Sequence, residues 1–196
     1  MTTVGLLLAA GGGRRMGMPK ALVSDASGPW LSRAVETLQR GGCDRVVVVL
    51  GASADEARPL LDAYDVTVVV AADWDDGMGA SLATGLGNVL HSDATRCLVT
   101  LVDLPDIGPD VVRRMLDAPD QDDVLARATY DGRPGHPVLL GRDHWAGVLV
   151  TSTGDRGARD YLASHALTRV ECADLATGKD VDRPPRRPTG GQPPAR

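Results

Sequence analysis

Four short apolar runs constrain this chain most: Val4–Leu8, with glycines soon after it, and Val46–Leu50, Val66–Val70 and Cys97–Val102, each with Gly or Asp at one end. A run of this length and composition, apolar at successive positions, fits a strand buried on both faces. Weaker strand candidates are Val124–Thr129, Pro137–Leu140 and Thr168–Ala173. Between the runs lie segments with helical spacing. Leu31–Arg40 is apolar at Leu31, Ala34, Val35 and Leu38 and stops at Gly41-Gly42. Ser53–Asp62 starts with a candidate N-cap serine, Ala80–Leu90 gathers Leu82, Leu86, Val89 and Leu90 on one side, and Pro109–Leu116 opens on proline. Asp155–Ser164 is a further helix candidate. Strands alternating with helices predict an α/β fold: a doubly wound, mostly parallel sheet with helices on both faces.

The 196 residues suit one domain, placed at residues 1–182. Arg183–Arg196 has five prolines, two glycines and four arginines without apolar periodicity, so a disordered tail is expected there. The net charge of −5 argues against a protein devoted to coating nucleic acid. The absence of Phe, with three Trp and three Tyr, removes the aromatic platforms that single strands stack on. No apolar run approaches the roughly 20 residues that span a bilayer. Cys43, Cys97 and Cys172 form no CxxC pair, which leaves no zinc ribbon or thioredoxin-like site. Free cysteines and a start without a basic region predict a cytoplasmic protein with no membrane partner.

Gly11 to Lys20, GGGRRMGMPK, directly follows the first strand. Glycines adopt positive φ and let a backbone approach a ligand, and successive N–H groups form an anion nest. Arg14, Arg15 and Lys20 add positive charge beside those donors. The composition suits phosphates, and also a flexible turn with solvated arginines. GxGxxG fails because Met16 stands at the third glycine position, and the P-loop pattern fails because Met18 stands where lysine is needed.

Leu8-Ala9-Ala10-Gly11-x-Gly13-x-Arg15-Met16-Gly17-x-Pro19-Lys20 resembles the signature loop of nucleotidyltransferases with the LAAGxGxRMGxPK pattern, the MobA-like group. Trp74 to Leu82, Leu101 to Pro105, Gly135 to Leu139, Gly154 to Arg159 and Asp180 to Asp182 resemble, in order, its molybdenum cofactor cytidylyltransferase (MocA-type) branch. The likeness spans about residues 4–182. It implies a Rossmann-like fold and a magnesium-dependent transfer of CMP from CTP to the phosphate of molybdenum-molybdopterin. The products would be molybdopterin cytosine dinucleotide and pyrophosphate, with a xanthine-dehydrogenase-like enzyme as recipient. It assigns catalysis to Arg15, Lys20 and Asp103. Nucleotide binding falls to Leu8, Ala9, Ala10, Gly11, Gly12, Gly13 and Arg14, with Arg15, Lys20, Gly79, Ser81 and Asp103.

The resemblance also places the metal at Asp103 with Asp182 or Asp180, and the acceptor at His136, Asp155 and Arg156, with Arg159 one helical step on. Asp180 and Asp182 point the same way in an extended segment. Two departures stand out. The acidic pair that follows DxD in relatives is Pro-Arg here, and Ala71 replaces an asparagine three residues before the tryptophan. A phosphate monoester is largely ionised at neutral pH, so the reaction needs no strong general base. The same residues would also serve a sugar or alditol phosphate acceptor, or a nucleotide-binding protein without turnover.

Overall fold

A computed structural model of the chain describes residues 2–117 and 123–183. The elements follow in order β1 (Thr3–Ala9), β2 (Ser24–Asp25), β3 (Gly28–Pro29), α1 (Trp30–Gly41), β4 (Arg45–Leu50), α2 (Ala54–Ala57) and β5 (Thr67–Val70). Then come α3 (Met78–Leu90), β6 (Arg96–Leu101), α4 (Pro109–Leu116), β7 (Leu125–Tyr130), β8 (Arg133–Gly141), α5 (Arg142–Thr151), α6 (Arg159–Ala163) and β9 (Thr168–Glu171). Seven strands form one sheet in the order β5-β4-β1-β6-β8-β7-β9. Its pairs are parallel except those of β8, which runs against both β6 and β7. The expected doubly wound, mostly parallel sheet is therefore present.

Period-2 alternation explains why β1 and β4 read as unbroken apolar runs. Leu7, Ala9, Val46, Val48 and Leu50 face one core, with Leu31, Val35, Leu38, Val111, Val112 and Met115 of α1 and α4. Val4, Leu6, Leu8, Val47 and Val49 face the other core, with Leu82, Leu86, Trp145 and Val148 of α3 and α5. Both faces of each strand are covered, so neither can be polar. Leu38 is fully buried, and its truncation to alanine should cost about 3 kcal/mol.

Helix ends follow local chemistry. α1 stops where Gly42 turns left-handed at φ 106°, its N–H returning to the carbonyls of Leu38 and Gln39. α4 begins on Pro109, whose missing N–H costs nothing in the first turn. The expected helix over Ser53–Asp62 is instead α2 followed by a 3₁₀ turn at Arg58–Leu61, because Pro59 cannot donate an α-helical bond. Ser53 sits at the N-cap but makes no side-chain cap bond. The expected helix over Asp155–Ser164 is likewise shortened to α6. A 3₁₀ turn at Gly154–Arg156 precedes it, and Gly157 at φ 51° breaks the path between them. Arg156 and Arg159 therefore do not share a helix face. β8 is longer than the expected Pro137–Leu140, and α5 was not anticipated from the sequence. Of the predicted tail, only Arg183 falls within the described residues. No helix among the described residues is long and apolar enough to cross a membrane.

Candidate active site

β1 pairs with β4 on one side and β6 on the other, so the chain leaves β1 in opposite directions along the sheet. The carboxyl ends of β1 and β6 flank the crevice this creates, the usual ligand seat of a doubly wound sheet. The loop after β1 begins at Ala10. The loop after β6 carries Asp103 at its start, and Val102 N–H donates to Leu8 O at 3.2 Å, tying that loop to the end of β1.

The glycine loop is held by its own backbone. Met16 and Gly17 both donate to Gly13 O at 2.9 Å. Gly13 sits at φ 59°, and a Cβ there would fall 1.9 Å from Met18 O, so the turn requires glycine. A Cβ on Gly12 would meet the Trp74 ring at 3.0 Å, which places that indole against the loop. A cleft of about 390 Å³ opens between the loop, Trp74 and the start of α3. Leu8 to Arg15, Lys20, Ser81 and Asp103 all line it. Gly79 does not line it. A Cβ there would fall 2.9 Å from the Thr153 backbone and 3.0 Å from Gly154 O, so glycine lets that segment pack against α3. Ser81 lies in the second turn of α3, buried inside the helix rather than at its N-cap.

Four charged groups meet at the head of the cleft. The Lys20 ammonium ion-pairs with Asp103 and donates to Asp182 Oδ1 at 2.6 Å. Arg15 Nη1 reaches Asp182 Oδ2 at 3.0 Å. The segment carrying Asp182 is held by the loop after β6: Val181 N–H donates to Asp103 O at 2.9 Å. Carboxylate oxygens of Asp103, Asp180 and Asp182 consequently lie within 4.8 Å of one another. An all-oxygen set, one member buried and one half-buried, fits a hard divalent cation. Burial lowers the Lys20 pKa, but the hydrogen bonds and charges of Asp103 and Asp182 outweigh it and leave it raised. The hydrogen bond from Lys20 leads the causes that hold Asp182 below the usual carboxylate range, against partial burial. Asp103, with 11% of its side chain exposed, is the least accessible carboxylate of the group.

A second recess of about 80 Å³ adjoins the cleft and shares Leu8, Met78 and Asp155 with it. His136, Arg156 and Arg159 line it, as expected, and so does Arg127, which the sequence reading did not single out. Burial and the Arg127 charge push His136 down to about 4, so its imidazole is neutral at physiological pH. Trp74 and Asp75 also line the cleft without having been assigned a role, although both stand in the motif that carries the resemblance. Ala71 is fully buried in the core beside Val47 and Val49 and reaches neither space.

Comparison with known proteins agrees with this layout. Nicotine blue oxidoreductase of Paenarthrobacter nicotinovorans is 37% identical over 189 residues, 91% of each chain. The bifunctional protein GlmU of Cereibacter sphaeroides is 34% identical over 144 residues, 70% of this chain but 32% of its own length. The crystal structure of Rv0371c from Mycobacterium tuberculosis H37Rv superposes with a TM-score of 0.76 at 26% identity, covering 87% of this chain and 88% of that one. A manganese complex of the same protein gives a TM-score of 0.73 at 26% identity over the same shares of the two chains. Residues 5–170 match the family model described as the MobA-like NTP transferase domain. That match spans most of the chain, and with the crevice built from the ends of β1 and β6 it shows that the chain belongs to the MobA-like nucleotidyltransferases.

Proposed function

We propose that this chain transfers CMP from CTP, with magnesium, to the phosphate of molybdenum-molybdopterin. The reaction would release pyrophosphate and form the cytosine dinucleotide. One observation carries the proposal: the glycine loop, Lys20, Asp103 and Asp182 share one cleft, with the Asp180 carboxylate within 4.8 Å of the other two and a cation-lined recess opening from it. The loop N–H groups, Arg15 and Lys20 hold the triphosphate and stabilise the charge that develops on the leaving pyrophosphate. The acceptor phosphate attacks the α-phosphorus and arrives already ionised, so these residues act by positioning and charge. Asp103 with Asp182 and Asp180 would hold the magnesium ion, which when bound neutralises phosphate charge. His136, Asp155 and Arg156 line the acceptor side.

Purified protein would be mixed with magnesium, molybdenum-loaded molybdopterin and each of CTP, GTP, ATP and UTP separately. Pyrophosphate and pterin dinucleotide would be measured together. Product with CTP alone supports the reading, and product with another nucleotide relocates the base preference. Pyrophosphate with a sugar phosphate or alditol phosphate instead of the pterin would change the acceptor.

A second reading rests on the 37% identity to a protein named an oxidoreductase. In that reading the same loop holds the diphosphate of a nucleotide electron donor. Consumption of reduced nicotinamide dinucleotide with an added acceptor dye, and no pyrophosphate with any triphosphate, would select it.

A further inference from the structure

We propose that Arg127 and Arg159 form a paired-guanidinium seat for the acceptor's phosphate monoester, with Arg127 the specificity-determining residue. The inference rests on the transferase reading and adds to it the groups that select the acceptor. Arg127 projects from β7 into the recess and is half-buried. Its Nε donates to Gly135 O at 2.9 Å, which fixes the plane of the guanidinium. Among the described residues that is its only hydrogen bond, and no carboxylate pairs with it. Half-buried Arg33 shows the ordinary arrangement, with Asp25 at 2.6 Å. Arg159 likewise has no ion pair among the described residues, whereas Arg156, on the rim, is paired with Asp160 at 2.6 Å.

Two unpaired guanidiniums facing one small recess repel each other, and a half-buried cation without a counter-charge is costly. Burial and the Arg159 charge both push the Arg127 pKa down, the direction such crowding requires. A dianion between them removes both costs. Phosphate suits a planar fork that presents parallel N–H donors. The remaining surroundings narrow the ligand. Leu82, Val99, Val138 and Leu162 give the recess an apolar wall, and His136 is a neutral hydrogen-bonding group. Asp155, at the boundary with the cleft, disfavours a second anionic group there. The seat therefore takes one phosphate monoester group, beside the nucleotide cleft that the recess adjoins.

The test is Arg127→Gln and Arg159→Gln in the full chain. With a non-hydrolysable CTP analogue filling the glycine loop, binding of inorganic phosphate would be followed by phosphorus NMR and calorimetry. The loaded wild-type protein is expected to bind one phosphate, and each variant to weaken it about thirtyfold. In turnover with CTP and molybdopterin, the acceptor KM should rise by a similar factor while the CTP KM stays unchanged. Phosphate binding that survives both substitutions, or an unchanged acceptor KM, overturns the proposal. If no nucleotide yields pyrophosphate, the transferase reading fails, and the phosphate titration still decides the seat by itself. Arg159 is exposed, so its variant should fold even if Arg127→Gln does not.

Discussion

Replacing Lys20 by methionine should tighten divalent cation binding to the free protein while reducing turnover. The ammonium lies between Asp103 and Asp182, with 18% of the Lys20 side chain exposed. A cation entering the carboxylate group must displace it. At an effective dielectric of about 20, each contact near 3 Å amounts to about 5 kcal/mol of gross attraction. Desolvation of the three groups offsets most of that, and about 2 kcal/mol net is a reasonable remainder for a partly buried pair. Methionine keeps the length of the side chain and removes the charge, so Mn²⁺ affinity should rise about thirtyfold. Stability without metal should fall by about 2 kcal/mol, because the carboxylates are left facing one another with only Arg15 nearby. Turnover should drop about a hundredfold through loss of a phosphate-binding charge. Free Mn²⁺ would be followed by electron paramagnetic resonance in a nucleotide-free titration, with a urea melt on the same samples. Mn²⁺ affinity that is unchanged or weaker in Lys20→Met would refute the competition.

Asp103→Asn should weaken Mn²⁺ binding at least about tenfold in the same titration, because it removes the most buried carboxylate of the three. Gly13→Ala should abolish CTP binding measured by calorimetry and lower stability by about 2 kcal/mol, since φ 59° and the 1.9 Å approach to Met18 O leave no room for a methyl group. His136 falls from its ordinary 6.5 to about 4 on folding, so the unfolded chain binds the extra proton first. Its stabilising share is complete above pH 6.5 and is lost on acidification toward pH 4, by about 3 kcal/mol at most; His136→Asn should flatten that slope in urea melts. Asp182 acts in the same direction at lower pH, its contribution fading only as pH falls below its ordinary 3.8.

The parallel half of the sheet was legible because strands buried on both faces leave an unmistakable apolar run: the β1, β4 and β6 runs match within a residue or two at their ends. α5 was missed for a physical reason. Its fully buried side chains are Trp145 and Val148, too few to make a stripe, and Val150 is 83% exposed. The helix expected from Ala80 starts two residues earlier, at Met78, because Gly77 at φ 112° carries the turn ahead of it. The loop residues and Asp103 were readable from motif and position. Arg127 was not, because a single arginine in a weak strand gives no signal until folding brings Arg156 and Arg159 to the same recess.

The sequence displayed the cations of this site in one continuous segment and scattered its acids, and that difference hid the electrostatic character of the cleft. Arg14, Arg15 and Lys20 are within seven residues of one another, so the loop alone reads as a positive cradle. Asp103 arrives from the end of β6, and Asp180 and Asp182 arrive on a segment held by the Val181–Asp103 backbone bond. Four carboxylates, Asp75, Asp103, Asp155 and Asp182, then line the cleft with three cations, and two of those cations are already engaged with Asp103 and Asp182. Such a cleft has little net attraction for a polyphosphate by itself. Asp103, Asp180 and Asp182 would hold a divalent cation, which when bound would leave Lys20 and Arg15 free for the phosphates and add positive charge to the site. Metal and nucleotide are therefore expected to bind with positive coupling, each raising the affinity of the other by the same factor.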